Sequence, residues 1–401
     1  MLINKEYTNL NTPCYIINKE KLKHNYYSMR KSFQKFWSEN FIIGYSFKTN
    51  SLPWVVNWMK ENGAYAEVVS EPEYRLAMTL GYDKDKVIIN GPYKGLNVLI
   101  EVLENGGIVN LDSFHEIEWI KKHKPIKQKK WKVGIRINFD LESKCPNETI
   151  MGNEFGRFGF NIENGSCKKA INELKQIDYV NLVGIHGHHS TKTKSLNIFK
   201  AIAKEILLIS EEIKGDIEYI DMGGCIFGDK PGAPSFDEYA NVITGELKKS
   251  FDCKKVTLIM EPGAALIASP VRYLCKVIDK KDIMNIRFVS TNGSLIHIDP
   301  QMHGIPFLKE SFPTGNNIKK TQVIGGFTCI EKDRLGSLEN ERELEIGDYL
   351  LYHNTGAYSM ALSPLFIQYY PDVYVEDIDE IKLVREAWTV NEYIAKNNYK
   401  I

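Results

Sequence analysis

Phe41-Ile42-Ile43-Gly44-Tyr45-Ser46-Phe47-Lys48-Thr49-Asn50 is an apolar, β-prone run that stops on a lysine. A helical pattern follows at once, so the run reads as a strand with Lys48 at its carboxyl end. An ammonium at the end of a buried strand is costly to keep charged, so its pKa should fall and the amine become nucleophilic. Schiff-base chemistry with an aldehyde requires such an amine. The plain alternative is a lysine that snorkels to solvent, and what accompanies Lys48 along the chain decides between them.

Seven more β-prone runs follow, each separated from the next by an amphipathic helical pattern: Ala64 to Val69, Lys86 to Asn90, Gly107 to Leu111, Lys132 to Asn138, Val180 to Gly187, Ile217 to Asp221 and Val256 to Met260. Ser70 with Glu73, Ser113 with Glu116, and Ser235 with Glu238 have capping-box spacing and mark helix starts. Eight strand-helix units over roughly 225 residues match a (β/α)₈ barrel; a doubly wound open sheet is the alternative. After Pro270 the rhythm changes. Val271 to Ile278, Ile286 to Thr291, Tyr349 to Asn354 and Leu365 to Tyr370 read as strands separated by Gly, Pro and Asn turns. The expected organisation is a barrel over 24–269 and an all-β domain built from 1–23 and 270–401.

Composition narrows the function classes. The 401 residues carry 51 basic and 51 acidic side chains, a net charge of zero, and no basic tract suits nucleic acid or an anionic membrane. No apolar run reaches membrane-spanning length, and Lys5 and Glu6 stand where a signal peptide would be apolar. A cytoplasmic protein is expected. The seven cysteines are scattered without paired metal-ligand spacing, so reduced thiols are expected.

Barrel enzymes place their chemistry where the strands end. Those positions hold Lys48, Glu67 and Ser70, Asn90, Asp112, Arg136 and Asn138, His186 and His188, Gly223 and Gly224, and Glu261. Each taken alone reads as a cap or a satisfied buried polar group. Together they suit a phosphorylated pyridine aldehyde such as pyridoxal phosphate. Gly223-Gly224 lets backbone N–H groups approach an anion, a carboxylate at Glu261 holds a ring nitrogen protonated, and His188 is placed to stack on the ring.

The chain resembles the fold-type III pyridoxal-phosphate decarboxylases, which include diaminopimelate, ornithine and carboxynorspermidine decarboxylases. Tyr45-Ser46-Phe47-Lys48-Thr49-Asn50 is similar to that family's cofactor-lysine motif, His186-Gly187-His188 to the motif whose second histidine stacks on the ring, and Asp221-Met222-Gly223-Gly224 to its phosphate loop. Glu261-Pro262-Gly263 resembles the segment whose glutamate meets the pyridine nitrogen. Gly326-Phe327-Thr328-Cys329 resembles the catalytic cysteine segment, and Gly356-Ala357-Tyr358 the one whose tyrosine contacts phosphate. The resemblance implies Lys48 as the cofactor lysine and Cys329 as the acid that protonates the carbanion. It also implies a two-fold dimer in which Cys329 and Lys48 of one site come from different subunits.

Departures from the pattern bear on cofactor and substrate. Cys225 stands where the family usually has a third glycine and Ala264 where an arginine usually meets phosphate, which leaves Thr191, the loop amides and Tyr358. Asn292 and Ile330 occupy positions where ornithine decarboxylases place acidic residues, and Asp299 precedes Pro300 where diaminopimelate decarboxylases have arginine. An apolar Ile330 where an ammonium's counter-charge should sit argues for a substrate whose distal nitrogen is acylated or absent. The expected reaction is therefore decarboxylation of a side-chain-modified amino acid, such as N-citrylornithine in siderophore assembly. The alternative is free diaminopimelate, lysine or ornithine, with Glu331 serving the amine. A non-catalytic relative and a metal-dependent hydrolase using His186, His188 and His189 complete the readings; no metal is expected.

Overall fold

The computed structural model describes residues 3–398 apart from 128, 229, 231 and 305. It divides into two compact units, Asn25–Ala265 and Met1–His24 with Leu266–Ile401.

In the first unit eight parallel strands close on themselves: Phe41–Ser46, Tyr65–Val68, Val87–Ile89, Ile108–Leu111, Trp131–Asn138, Val180–Gly187, Tyr219–Asp221 and Thr257–Met260, the last pairing with the first. This is the expected (β/α)₈ barrel. Its strands read as almost unbroken apolar runs because helices cover the outside and side chains fill the inside. Leu96–Glu104 shows how a covering helix earns its place: Val98, Leu99, Val102 and Leu103 repeat at helical spacing and are all buried. Of the three expected capping boxes, Ser235 and Glu238 form a complete one. Ser70 accepts from the Glu73 N–H, but Glu73 turns back to the Val69 N–H. Ser113 caps nothing, because Glu116 instead accepts from the Asp112 N–H and pairs with the buried Lys94.

Strand register explains the glycines inside the barrel. Asn110 pairs with Gly134, Gly134 with Gly184, and Gly184 with Tyr219, so four consecutive strands present one layer of side-chain positions. Two of the four have no side chain. Across that gap the Tyr219 ring reaches over, and its hydroxyl donates to Asn110 Oδ1 at 2.9 Å. A Cβ on Gly184 would stand 2.0 Å from Tyr219 Cζ, and one on Gly134 2.2 Å from its hydroxyl.

The second unit is a mixed sheet. Cys14–Asn18 lies antiparallel to Val271–Ile283 and parallel to Asp372–Glu376. Ile286–Thr291, Ile318–Gly325 and Arg334–Arg342 extend one side, and Ile381–Arg385 the other. Cys14, Ile16, Leu274, Phe312, Leu351 and Tyr374 pack into its core. The strand expected over 365–370 does not form: Leu365, Phe366 and Ile367 are exposed and Ile367 adopts φ 67°, so pairing begins only after Pro371.

Gly184→Ala is expected to destabilise the protein by about 1–3 kcal/mol through overpacking against Tyr219. Chemical denaturation measures it, and an unchanged midpoint would show that the ring has room to move.

Candidate active site

The first barrel strand delivers Lys48 into a short 3-10 turn, Phe47–Thr49. Lys48 Nζ lies 2.7 Å from Glu67 Oε2 and 2.8 Å from Ser46 Oγ. Ser46 and Glu67 are register partners on adjacent strands, and the serine hydroxyl donates to the same carboxylate oxygen at 2.6 Å. The sequence reading expected a desolvated lysine, and here the structure corrects it. The Lys48 side chain is 40% exposed, because it leaves the strand end for an open cavity, while Glu67 is 1% exposed. Burial pushes the Glu67 carboxyl up, but the Lys48 ammonium and donors from Lys48, Ser46 and Asn90 outweigh it and hold the pKa below the usual glutamate range.

Opposite lie Asp221 and Glu261, both buried, with carboxyl oxygens within 4.8 Å of each other. Burial pushes the Asp221 pKa up to about 6, despite hydrogen bonds from Glu261, the Gly223 N–H and Asn110. Burial, with Asp221 and Glu67 nearby, raises Glu261 well above the ordinary carboxyl range. The pair therefore shares a proton that resides on Glu261. His186 Nε2 is 3.6 Å from Glu261 Oε2, and burial keeps the ring neutral. His186, Asp221 and Glu261 are the one group among the described residues whose ligand atoms lie within 4.8 Å of one another. Both Asp221 oxygens already accept, from Gly223 and Asn110, so the set reads as proton sharing.

The glycine loop is tied to the same residues. A Cβ on Gly223 would come 2.6 Å from His188, and one on Gly224 2.3 Å from the Glu261 carbonyl, so both positions require glycine. The Gly224 N–H donates to His188 Nδ1 at 3.2 Å, which leaves the ring proton on Nε2. Cys225 takes φ 69°, the left-handed geometry a third glycine would serve, and its Sγ sits 3.7 Å from Thr191 Oγ1.

Lys48, Glu67, Asn90, Arg136, His186, His188 and Glu261 line one cavity of about 970 Å³. Much of its remaining wall is the 139–158 segment, which sequence reasoning passed over. Its signal was length, since more than twenty residues, with only the four-residue helix Leu141–Lys144 and the two-residue strand Phe160–Asn161 among them, separate the fifth strand from the helix that starts at Ser166. Asp221 was quoted only as part of a motif, and Asn110 and Tyr219 went unnoticed; all three are polar residues at inward positions of barrel strands.

The other sequence-derived residues lie in the second unit. Cys329 is an exposed thiol and Glu331 is exposed; Ile330 is half-buried. Tyr358 is 44% exposed, at φ 56°. Asn292 is spent structurally: its amide donates to Thr12 O and Oγ1 and accepts from the Lys276 N–H. Asp299 accepts from the Gly304 N–H and contacts His303.

A cavity with a lysine at its mouth, a protonated carboxyl in its floor and a glycine cradle behind a histidine fits pyridoxal phosphate. The family model described as "Pyridoxal-dependent decarboxylase, pyridoxal binding domain" matches residues 19–268. The chain belongs to that family. It is a pyridoxal-phosphate-dependent amino-acid decarboxylase. A probable chloroplastic diaminopimelate decarboxylase of Oryza sativa is 28% identical over 96% of this chain and 79% of its own length. The diaminopimelate decarboxylase of Methanocaldococcus jannaschii is 26% identical over 96% of this chain and 91% of its own. A crystal structure of the M. jannaschii enzyme superposes with a TM-score of 0.87 at 23% identity, covering 99% of this chain and 94% of that one, and shares its fold.

Replacing Glu261 with glutamine tests the shared proton in the apoprotein. A carboxyl whose folded pKa is raised binds its proton more tightly folded than unfolded, so it costs stability as pH rises above the ordinary 4.5. Glu261→Gln should therefore gain stability relative to wild type as pH rises from acid to neutral, read as a growing difference in Tm. A constant difference would mean that Glu261 does not hold the proton.

Proposed function

We propose that the protein removes the α-carboxylate of a diamino acid of the diaminopimelate, lysine or ornithine class, with diaminopimelate first among them. The single observation that carries this reading is Lys48 paired with buried Glu67 in the cavity that also holds Glu261 and His188. The names of the curated relatives support the substrate class.

In this reading Lys48 supplies the amine that binds the cofactor aldehyde, and Glu67 fixes where that amine sits. Glu261 carries a proton at the place of the pyridine nitrogen, His188 covers one ring face, and the amides of Gly223 and Gly224, with Thr191, receive the phosphate. Pyridoxal phosphate, when bound, supplies the electron sink that takes the electron pair of the departing carboxylate. Cys329 of a second subunit delivers the proton to the α-carbon. Homodimer formation belongs to the proposal, since the site so assigned draws residues from two chains. No helix among the described residues is long and apolar enough to cross a membrane.

One residue favours a second reading, the acylated substrate expected from the sequence. Ile330 follows Cys329 where a free distal ammonium would want a carboxylate. The comparisons lend it no support.

Lys48→Ala is expected to lose covalent cofactor attachment, assayed by borohydride reduction and mass spectrometry, together with CO₂ release. Attachment that survives in this variant would refute the assignment. For the substrate, kcat/KM is measured for diaminopimelate, lysine, ornithine and N-citrylornithine. Ile330→Asp should raise kcat/KM for free diamino acids over the acylated one by about 10-fold or more, the scale of a buried hydrogen bond to a charged group. A wild type that already prefers N-citrylornithine would overturn the diaminopimelate-class reading.

A further inference from the structure

The two carboxyls with assigned tasks, Glu67 beside the lysine and Glu261 beneath the ring, are joined by a side chain to which the reaction assigns nothing. Asn90, just past the end of the third barrel strand, donates from Nδ2 to Glu67 Oε1 at 3.2 Å and to Glu261 Oε1. An amide nitrogen has two protons, so both are spent, one on each carboxyl.

The amide is also held from behind. Asn90 Oδ1 accepts from Asn110 Nδ2 at 3.0 Å, and Asn110 Nδ2 also donates to Asp221 Oδ2 at 2.9 Å. Asn110 Oδ1 accepts from the Tyr219 hydroxyl. Burial raises the Tyr219 pKa, so that hydroxyl keeps its proton and must donate. Every link thus has one direction, from Tyr219 through Asn110 to Asn90 and on to the carboxyls. Turning the Asn90 amide over would face two nitrogens together and set an oxygen against two carboxyls, which fixes its orientation. Asn90 is 3% exposed, Asn110 1%, and both carboxyls are buried, so the donor network is almost wholly enclosed by protein, with Asn90 and the two glutamates reaching the cavity wall.

We propose that Asn90 is the positioning residue that couples the two halves of this site, holding Glu67 against the Lys48 amine and Glu261 at the place of the pyridine nitrogen. The inference rests on the roles given above to Lys48 and Glu261. Its physical content is competition for one rigid donor group. A hydrogen bond to a carboxylate is stronger than one to a neutral carboxyl, so a change of charge on either glutamate alters the donor that Asn90 offers the other. Neither Asn110 nor Ser46 touches both glutamates, which leaves Asn90 as the link.

The test uses the full-length apoprotein titrated with pyridoxal phosphate across the pH range, with cofactor affinity read by equilibrium dialysis and by the visible absorbance of the bound cofactor. Asn90→Ala should weaken affinity about 10-fold or more, the scale of lost hydrogen bonds to a charged group. It should also move the acidic limb of the affinity profile to higher pH, because Glu67 has lost a donor that favours its ionised form. In the Glu261→Gln background the same substitution should have a smaller effect. Asn90→Ser, which keeps one donor, should fall between, and it carries the same comparison if the alanine variant does not fold. A merely structural role would lower Tm without moving the limb. Wild-type affinity and pH profile in the Asn90 variants, or full additivity with Glu261→Gln, overturn the proposal alone. A wild type that binds no pyridoxal phosphate through Lys48 overturns the reading of the site and the proposal with it.

Discussion

Three carboxyls are buried at this rim and one ammonium, that of Lys48, pairs with a single one of them, and the rest of the rim is arranged around that imbalance. Glu67 takes the ion pair directly. Two ionised carboxylates less than 5 Å apart, as Asp221 and Glu261 would be, repel by about 3–4 kcal/mol at an effective dielectric constant near 20. Keeping one of them protonated at neutral pH costs about 1.4 kcal/mol for each unit below 7, or about the same for an ordinary glutamate. Repulsion alone therefore leaves the matter balanced. Burial decides it, since desolvation penalises only the charged form, and Glu261 keeps its proton. The site thus holds a carboxylate beside its lysine and a carboxylic acid some residues away, from the same residue type in two environments.

That division needs a rigid support, and the barrel supplies it through the packed layer beneath. Tyr219 crosses two glycine positions to reach Asn110 because Gly134 and Gly184 leave the space. Ile88, Val183 and Ile259 pack with the ring, so the hydroxyl that begins the donor chain is fixed by apolar contacts. In the next layer Asp221 is in register with His186, and His186 with Arg136. Core packing and rim chemistry are consequently one structure: a methyl group added at Gly184, two residues before His186, would be felt at the carboxyls through Tyr219 and Asn110.

Much of this was legible in the sequence. All eight barrel strands were found within a residue or two, because strands buried on both faces leave continuous apolar runs. The rim residues followed from strand ends. Inward-facing polar residues were harder. Asn110 sits in Ile108–Leu111 with apolar neighbours, and nothing local distinguishes a hydrogen-bonded asparagine in a barrel from a strand terminus. The exposure of Lys48 was misjudged for a related reason, since burial of the preceding strand says nothing of the cavity its last residue enters. In the sheet unit, the apolar run at 365–370 imitated a strand, while the pairing segment Asp372–Glu376 began only beyond a proline.

The departures from the family pattern gain meaning from the backbone. Cys225 replaces a glycine, yet the chain keeps the left-handed conformation that glycine would adopt there. A non-glycine residue in that region costs of order 1 kcal/mol or more and persists only where the surroundings impose it. Here they do: Gly224 is pressed against the Glu261 carbonyl, Gly223 against His188, and the Cys225 thiol meets Thr191. The loop's shape is therefore dictated by its contacts with the glutamate and histidine segments and not by the third glycine. Cys225 thus leaves the loop backbone as its contacts set it and adds only a thiol beside Thr191. Ala264 is different in kind, since it opens the helix Ala264–Ile267 with no charge to offer. A left-handed loop residue held by its contacts and an uncharged residue at a helix start are separable features, the first of backbone shape and the second of local charge.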